Sequence, residues 1–190
     1  MAVCMHGKSR NYRSIVFSME MVATIAMAIV VSVKEKIDTN KSTYFNPIMK
    51  ILILCTGNSC RSQMAQAFLQ SVDTRLEVAS AGTEPSGYVH PKAIEVMQEE
   101  GIDLSQNKSE SVDQYLDEAW DYVITVCGGA KETCPAFMGT VQHRLHIGFD
   151  DPAEVTGNED HIMSEFRRVR DEIKTAFIQF FDEQVKPHIG

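Results

Sequence analysis

A cysteine and an arginine with five residues between them, in Cys55-Thr56-Gly57-Asn58-Ser59-Cys60-Arg61-Ser62, are the part of this sequence best suited to chemistry. A cysteine thiolate is a strong nucleophile, and the planar guanidinium of Arg61 can hold two oxygens of a tetrahedral oxyanion in a fork. Gly57 and Asn58 are the residue types that best tolerate left-handed backbone angles. A loop built on them can turn successive N–H groups inward and form an anion nest. The apolar run 50–54 ahead of the loop reads as a buried strand, and a helical pattern opens at Ser62. Nest, helix dipole and Arg61 all lower the pKa of Cys55, so it is expected to be a thiolate at neutral pH. A bare Cys-x5-Arg spacing fits a buried cysteine and a solvated arginine equally well. The strand–loop–helix setting is what favours the nucleophile.

From residue 49 onward, strands and helices alternate. A second strand is expected over 76–80, and a helix starts at Pro91 and stops at Gly101. Residues 111–119 follow a helical pattern, 121–126 read as a third strand and 144–149 as a fourth. A long final helix is expected over 159–186, with Ile162, Phe166, Val169, Ile173, Phe177 and Phe180 on one side. Such alternation predicts an α/β fold: a four-stranded parallel sheet with helices on both faces. Ligands of these sheets bind beyond the C-terminal strand ends. The Cys55 loop, Cys127 and Asp150-Asp151-Pro152 each follow a strand, so all three fall on one rim.

The 190 residues suit one domain, 49–190, plus a dissimilar extension, 1–48. In the extension Lys8, Arg10 and Arg13 precede an apolar stretch over 21–31. With Glu20 counted in, that stretch is marginal for a membrane-spanning helix. The favoured reading takes Met49 as the true start, with 1–48 translated in error; a poor membrane anchor comes second, and export would expose reactive thiols to oxidation. A net charge of −8 with no basic stripe argues against a nucleic-acid face. Five cysteines, an odd number, argue against a disulfide framework and for a cytoplasmic protein, read here as a monomer that does not act at a membrane.

The sequence resembles the thioredoxin-coupled arsenate reductase family, which shares its fold with low-molecular-weight tyrosine phosphatases. The likeness covers about residues 50–186. It rests on the run from Cys55 to Ala65, on Ser80-Ala81-Gly82, Pro91-Lys92-Ala93 and Gly101-Ile102-Asp103-Leu104-Ser105. It continues through Cys127 with Cys134, Gly148-Phe149-Asp150-Asp151-Pro152-Ala153, and the stretch from Phe166 to Ile173.

The resemblance implies that Cys55 attacks arsenate while Thr56, Gly57, Asn58, Ser59, Cys60, Arg61 and Ser62 wrap the oxyanion. Asp151 would be the general acid that protonates the departing oxygen; otherwise it is a turn or capping residue before Pro152. Ser62 would stabilise charge on the Cys55 sulfur, Cys60 would only pack, and Asp150 would be structural. Cys127 would attack the Cys55–arsenic adduct, releasing arsenite and leaving a Cys55–Cys127 disulfide. Cys134 would then attack Cys127, and thioredoxin would reduce the Cys127–Cys134 disulfide. No bound cofactor is implied.

One consequence of this spacing is independent of the family. Seven residues of α-helix rise roughly 10.5 Å, whereas a disulfide needs Cα atoms about 4.4–6.8 Å apart. A helical segment joining Cys127 and Cys134 would have to unwind to be oxidised, and Gly128 and Gly129 each ease that by about 1 kcal/mol.

Some family members bind potassium beside the anion loop. The matching positions here are Gln66 and Lys108, so an ammonium group near Asn58 and Ser80 could stand in for the ion. The rivals are a low-molecular-weight protein tyrosine phosphatase and a zinc module. Ala153 and Glu154 occupy positions where such phosphatases usually carry tyrosines. Zinc is disfavoured, because the Cys127–Cys134 spacing is too long for the usual pair and His143 and His146 would face opposite sides of a strand. No metal site is therefore expected.

Overall fold

The computed structural model describes residues 49–127 and 138–189. Four strands form one parallel sheet: β1 (Met49–Cys55), β2 (Leu76–Gly82), β3 (Trp120–Cys127) and β4 (Val141–Phe149), in the order β2-β1-β3-β4. β1 is central and covered on both faces, which is why Ile51, Leu52, Ile53 and Leu54 form an unbroken apolar run. Its alternate residues feed two cores. Ile51, Ile53 and Cys55 join the larger cluster, while Leu52 and Leu54 join Ala81, Val112, Trp120 and Val123 on the opposite face.

The larger core is covered by α1 (Arg61–Val72), α2 (Pro91–Glu99) and α3 (Glu159–Phe180). Pro91 occupies the first turn of α2, and the His90 ring accepts a hydrogen bond from the Lys92 amide as its N-cap. Gly101 follows that helix at φ +76°, a conformation that favours glycine. Asn158 caps α3 by accepting from the His161 amide, and Glu159 and Asp160 suit the positive end of its dipole. Met163, Phe166, Val169, Ile173, Phe177 and Phe180 are buried, with Ile162 packed at their margin.

Two expected helices differ from the structure. Residues 111–119 form only a 3₁₀ helix, Val112–Tyr115, on the smaller core's face. The Tyr115 carbonyl accepts from the Glu118 amide and the Trp120 indole, and the Leu116 carbonyl accepts from the amides of Met138 and Gly139. Those acceptors are spent, so an α-helix cannot continue. The final helix also stops early: α3 ends at Phe180, a π-turn follows over Phe181–Val185, and a last helical turn, α4, spans Lys186–Ile189. The wider turn keeps the series Phe181, Val185 and Ile189 facing the core.

Cys134, Gly128, Gly129 and residues 1–48 lie outside the described residues. Among the described residues, no helix is long and apolar enough to cross a membrane.

Candidate active site

Parallel pairing of β1 with β3, in register from Ile51 and Tyr122 to Leu54 and Thr125, brings the C-terminal ends of the two strands together. Cys55 and Cys127 sit at those ends, both buried in the larger core. The Cys127 sulfur lies 3.6 Å from the hydroxyl of Thr56, the residue that follows Cys55. Cys55, Cys60 and Cys127 are all thiols.

The loop closes around the Cys55 sulfur. The Asn58 amide N–H donates to it at 3.0 Å and the Ser62 hydroxyl lies 2.9 Å away. The Cys127 side chain is the largest influence and lowers the Cys55 pKa, burial opposes it, and Ser62 and the Asn58 N–H lower it further, to about 6. Most of Cys55 is therefore thiolate at neutral pH. Cys60, in the same loop, behaves in the opposite way. Burial pushes its thiol up to about 12, so it stays protonated and cannot compete as a nucleophile.

Two glycines, Gly57 in the loop and Gly82 at the end of β2, are close-approach positions. Asn58, not Gly57, takes the left-handed conformation, at φ 47°. Gly57 is a close-approach position, since a Cβ there would lie 2.5 Å from the Ser86 hydroxyl oxygen. Gly82 is tighter: its Cβ would meet the Thr56 backbone carbonyl oxygen at 2.5 Å. The end of β2 is thus bare so that the anion loop can cross it. The rest of the loop is tied by its backbone. The Ser86 amide and the Ser109 hydroxyl donate to the Gly57 carbonyl, and the His90 amide donates to that of Ser59.

Arg61 and Asp151 meet from opposite sides of the rim. Arg61 Nη2 donates to Asp151 Oδ2 at 2.5 Å, and Nη1 donates to the Phe149 carbonyl at 3.1 Å. Asp151 also accepts from the Ala153 amide through Oδ1, capping the 3₁₀ helix Pro152–Glu154. The capping role considered for this residue is therefore present. Asp150 instead points outward and pairs with Arg168.

Asn58 is fully buried, and its amide is held on both sides. Its Nδ2 donates to the hydroxyls of Ser62 and Ser80, and its Oδ1 accepts from the Glu110 amide and from Gln63 Nε2. Gln63 and Asn107, which bonds Gln63 in turn, were not singled out from the sequence. A glutamine in a helix and an asparagine in a loop carry no local signal.

The potassium site does not fit these residues. Ser80 donates to Gln66 Oε1 at 2.7 Å, Asn58 Oδ1 already takes two N–H donors, and Gln66 supplies no charge. Lys108, exposed, lines a cavity of about 360 Å³ with Gln66 and Ser80. His143 stacks on Tyr122 and His146 bonds the Thr125 hydroxyl, a partner on the sheet's other face.

Residues 50–188 match the model of the low molecular weight phosphotyrosine protein phosphatase family. A relative from Halalkalibacterium halodurans named arsenate reductase is 47% identical over 124 residues, which span 65% of this chain and 88% of the relative. One of the same name from Bacillus subtilis is 44% identical over 131 residues, spanning 68% of this chain and 93% of its own. The fold superposes on a solved arsenate reductase in the phosphate binding state with a TM-score of 0.57 and 30% identity, over 71% of this chain and 98% of that one. The chain belongs to the low molecular weight phosphotyrosine protein phosphatase family, and the relatives described here carry the name arsenate reductase.

Proposed function

We propose that the domain from residue 49 onward reduces arsenate to arsenite, with Cys55 as nucleophile and Cys127 and Cys134 as the redox pair. The observation that carries this reading is the second thiol brought beside the first at the paired ends of β1 and β3. A phosphatase needs only Cys55; a two-electron reduction needs a dithiol, and the Cys127 sulfur lies 3.6 Å from the hydroxyl of Thr56, the residue next to Cys55.

The chemistry follows from the site. The Cys55 thiolate attacks arsenic, and one arsenic–oxygen bond breaks. That oxygen leaves as water after Asp151 supplies a proton, because hydroxide is a far poorer leaving group. Arg61 and the loop N–H groups hold the remaining oxygens. The Cys127 thiolate then attacks the Cys55 sulfur. The sulfur–arsenic electron pair stays on arsenic, which leaves as arsenite, and a Cys55–Cys127 disulfide remains. Cys134 attacks Cys127 and frees Cys55, and a thioredoxin-type dithiol regenerates the enzyme by thiol–disulfide exchange. No prosthetic group or metal takes part, and the reaction suits a monomer in the reducing cytoplasm.

A phosphatase reading is the alternative, and weak hydrolysis of phosphate monoesters accompanies the main activity because phosphate and arsenate share shape and charge. Against phosphatase as the main role, the exposed residues after Asp151-Pro152 are Ala153 and Glu154, which offer no aromatic wall to a phosphotyrosine ring. The deciding experiment compares arsenite release with thioredoxin, thioredoxin reductase and NADPH against p-nitrophenyl phosphate hydrolysis. Reduction should outrun hydrolysis; hydrolysis without reduction would leave a phosphatase.

A further inference from the structure

We propose that Asn107 and Gln63 are positioning residues at the head of a one-way hydrogen-bond chain, Asn107 to Gln63 to Asn58 to Ser62, that ends on the Cys55 sulfur. Each link runs in the same sense. Asn107 Nδ2 donates to Gln63 Oε1 at 2.9 Å, and Gln63 Nε2 donates to Asn58 Oδ1 at 3.0 Å. Asn58 Nδ2 donates to the Ser62 oxygen at 2.9 Å, and Ser62 lies 2.9 Å from the sulfur.

The direction is fixed by backbone groups that cannot reverse. Gln63 Nε2 also donates to the Lys108 carbonyl at 2.9 Å, and a carbonyl only accepts, so the nitrogen must face that side. Asn58 Oδ1 also accepts from the Glu110 amide at 2.8 Å, and a backbone amide only donates, so the oxygen must face that side. With one amide pinned by residue 108 and the other by residue 110, the Ser62 oxygen is left as an acceptor from Asn58. Its own proton then points at Cys55. Serine as donor stabilises a thiolate; serine as acceptor would favour the thiol. Gln63 is 1% exposed and all its amide polarity is spent in this chain and its anchors. Aligned bonds in a low-dielectric interior polarise one another, so each link strengthens the last. The segment carrying Asn107, Lys108 and Glu110 thus sets the reactivity of a sulfur it does not touch.

This inference rests on Cys55 as nucleophile, though not on arsenate as substrate. Its test is the rate of Cys55 alkylation by iodoacetamide against pH, read on the Cys55 peptide by mass spectrometry. The variants are Asn107→Leu and Gln63→Met, near-isosteric and uncharged. The other titratable and charged groups around the loop, Cys60, Arg61, Glu110, Cys127 and Asp151, are unchanged in both. Losing the donors should move the midpoint upward and lower the rate at pH 6 by about 3- to 10-fold for Gln63→Met and roughly 2- to 5-fold for Asn107→Leu, with the plateau at high pH retained. Asn107 is only half-buried, so its variant decides the matter even where Gln63→Met fails to fold. An unmoved midpoint in Asn107→Leu overturns the proposal. So does a rate depressed equally at every pH, which would mean a loosened loop rather than a lost donor. No arsenate or reductant is present, so the result is separate from that of the arsenite-release assay.

Discussion

Cys127 ends the strand that pairs with that of Cys55, its sulfur 3.6 Å from the Thr56 hydroxyl, and its side chain is the largest influence lowering the Cys55 pKa. In the proposed relay, the thiol of the second step would thus prepare the first.

Alkylation of Cys55 should rise as pH increases through about 6. Because this lies below the ordinary thiol value, Cys55 contributes stability at high pH that is lost as pH falls through about 6. Cys127→Ala should shift the alkylation midpoint upward. A midpoint unchanged by that substitution would show that the loop alone activates the sulfur.

Asp151→Asn should slow hydrolysis in a way that depends on the leaving group. Loss of a general acid costs about 10²- to 10⁴-fold where protonation matters. Phenyl phosphate should therefore suffer far more than p-nitrophenyl phosphate, whose phenolate leaves unaided. Equal losses on both esters would return Asp151 to capping and pairing alone.

Gly82→Ala should displace the anion loop, since the new methyl group meets the Thr56 carbonyl, a backbone atom that cannot swing aside. Overpacking of this kind costs about 1–3 kcal/mol. Urea denaturation should show that loss, and KM for phosphate esters should rise. Unaltered stability and KM would mean that the crossing of β2 is looser than these distances imply.

Potassium should not stimulate activity over sodium at equal ionic strength. The oxygens beside the loop already accept from Ser80, Gln63 and the Glu110 amide, and Lys108 borders the same cavity. Strong, selective activation by potassium would contradict this.

The parts of the fold legible from sequence are those with strong local signals. An apolar run flanked by a Gly-Asn loop marked β1 and the candidate nucleophile, and β-α alternation placed Cys127 and Asp151 on the same rim as Cys55. The loop's left-handed residue fell to Asn58, and Gly57 proved to be a packing matter with Ser86, a neighbour 29 positions away that no local pattern reveals. Residues 111–119 kept a helical pattern but lost their acceptors to Trp120, Met138 and Gly139, a tertiary effect. Gln63 and Asn107 were invisible for the same reason: their meaning lies in a bond spanning 44 positions of the chain.

The most direct test of the central claim is multiple-turnover arsenite release with thioredoxin as sole electron donor, in wild type, Cys127→Ser and Cys134→Ser proteins. Wild type should turn over, and both variants should lose multiple-turnover reduction while still hydrolysing p-nitrophenyl phosphate. Sustained reduction by Cys134→Ser, or by Cys127→Ser, would contradict the three-thiol relay.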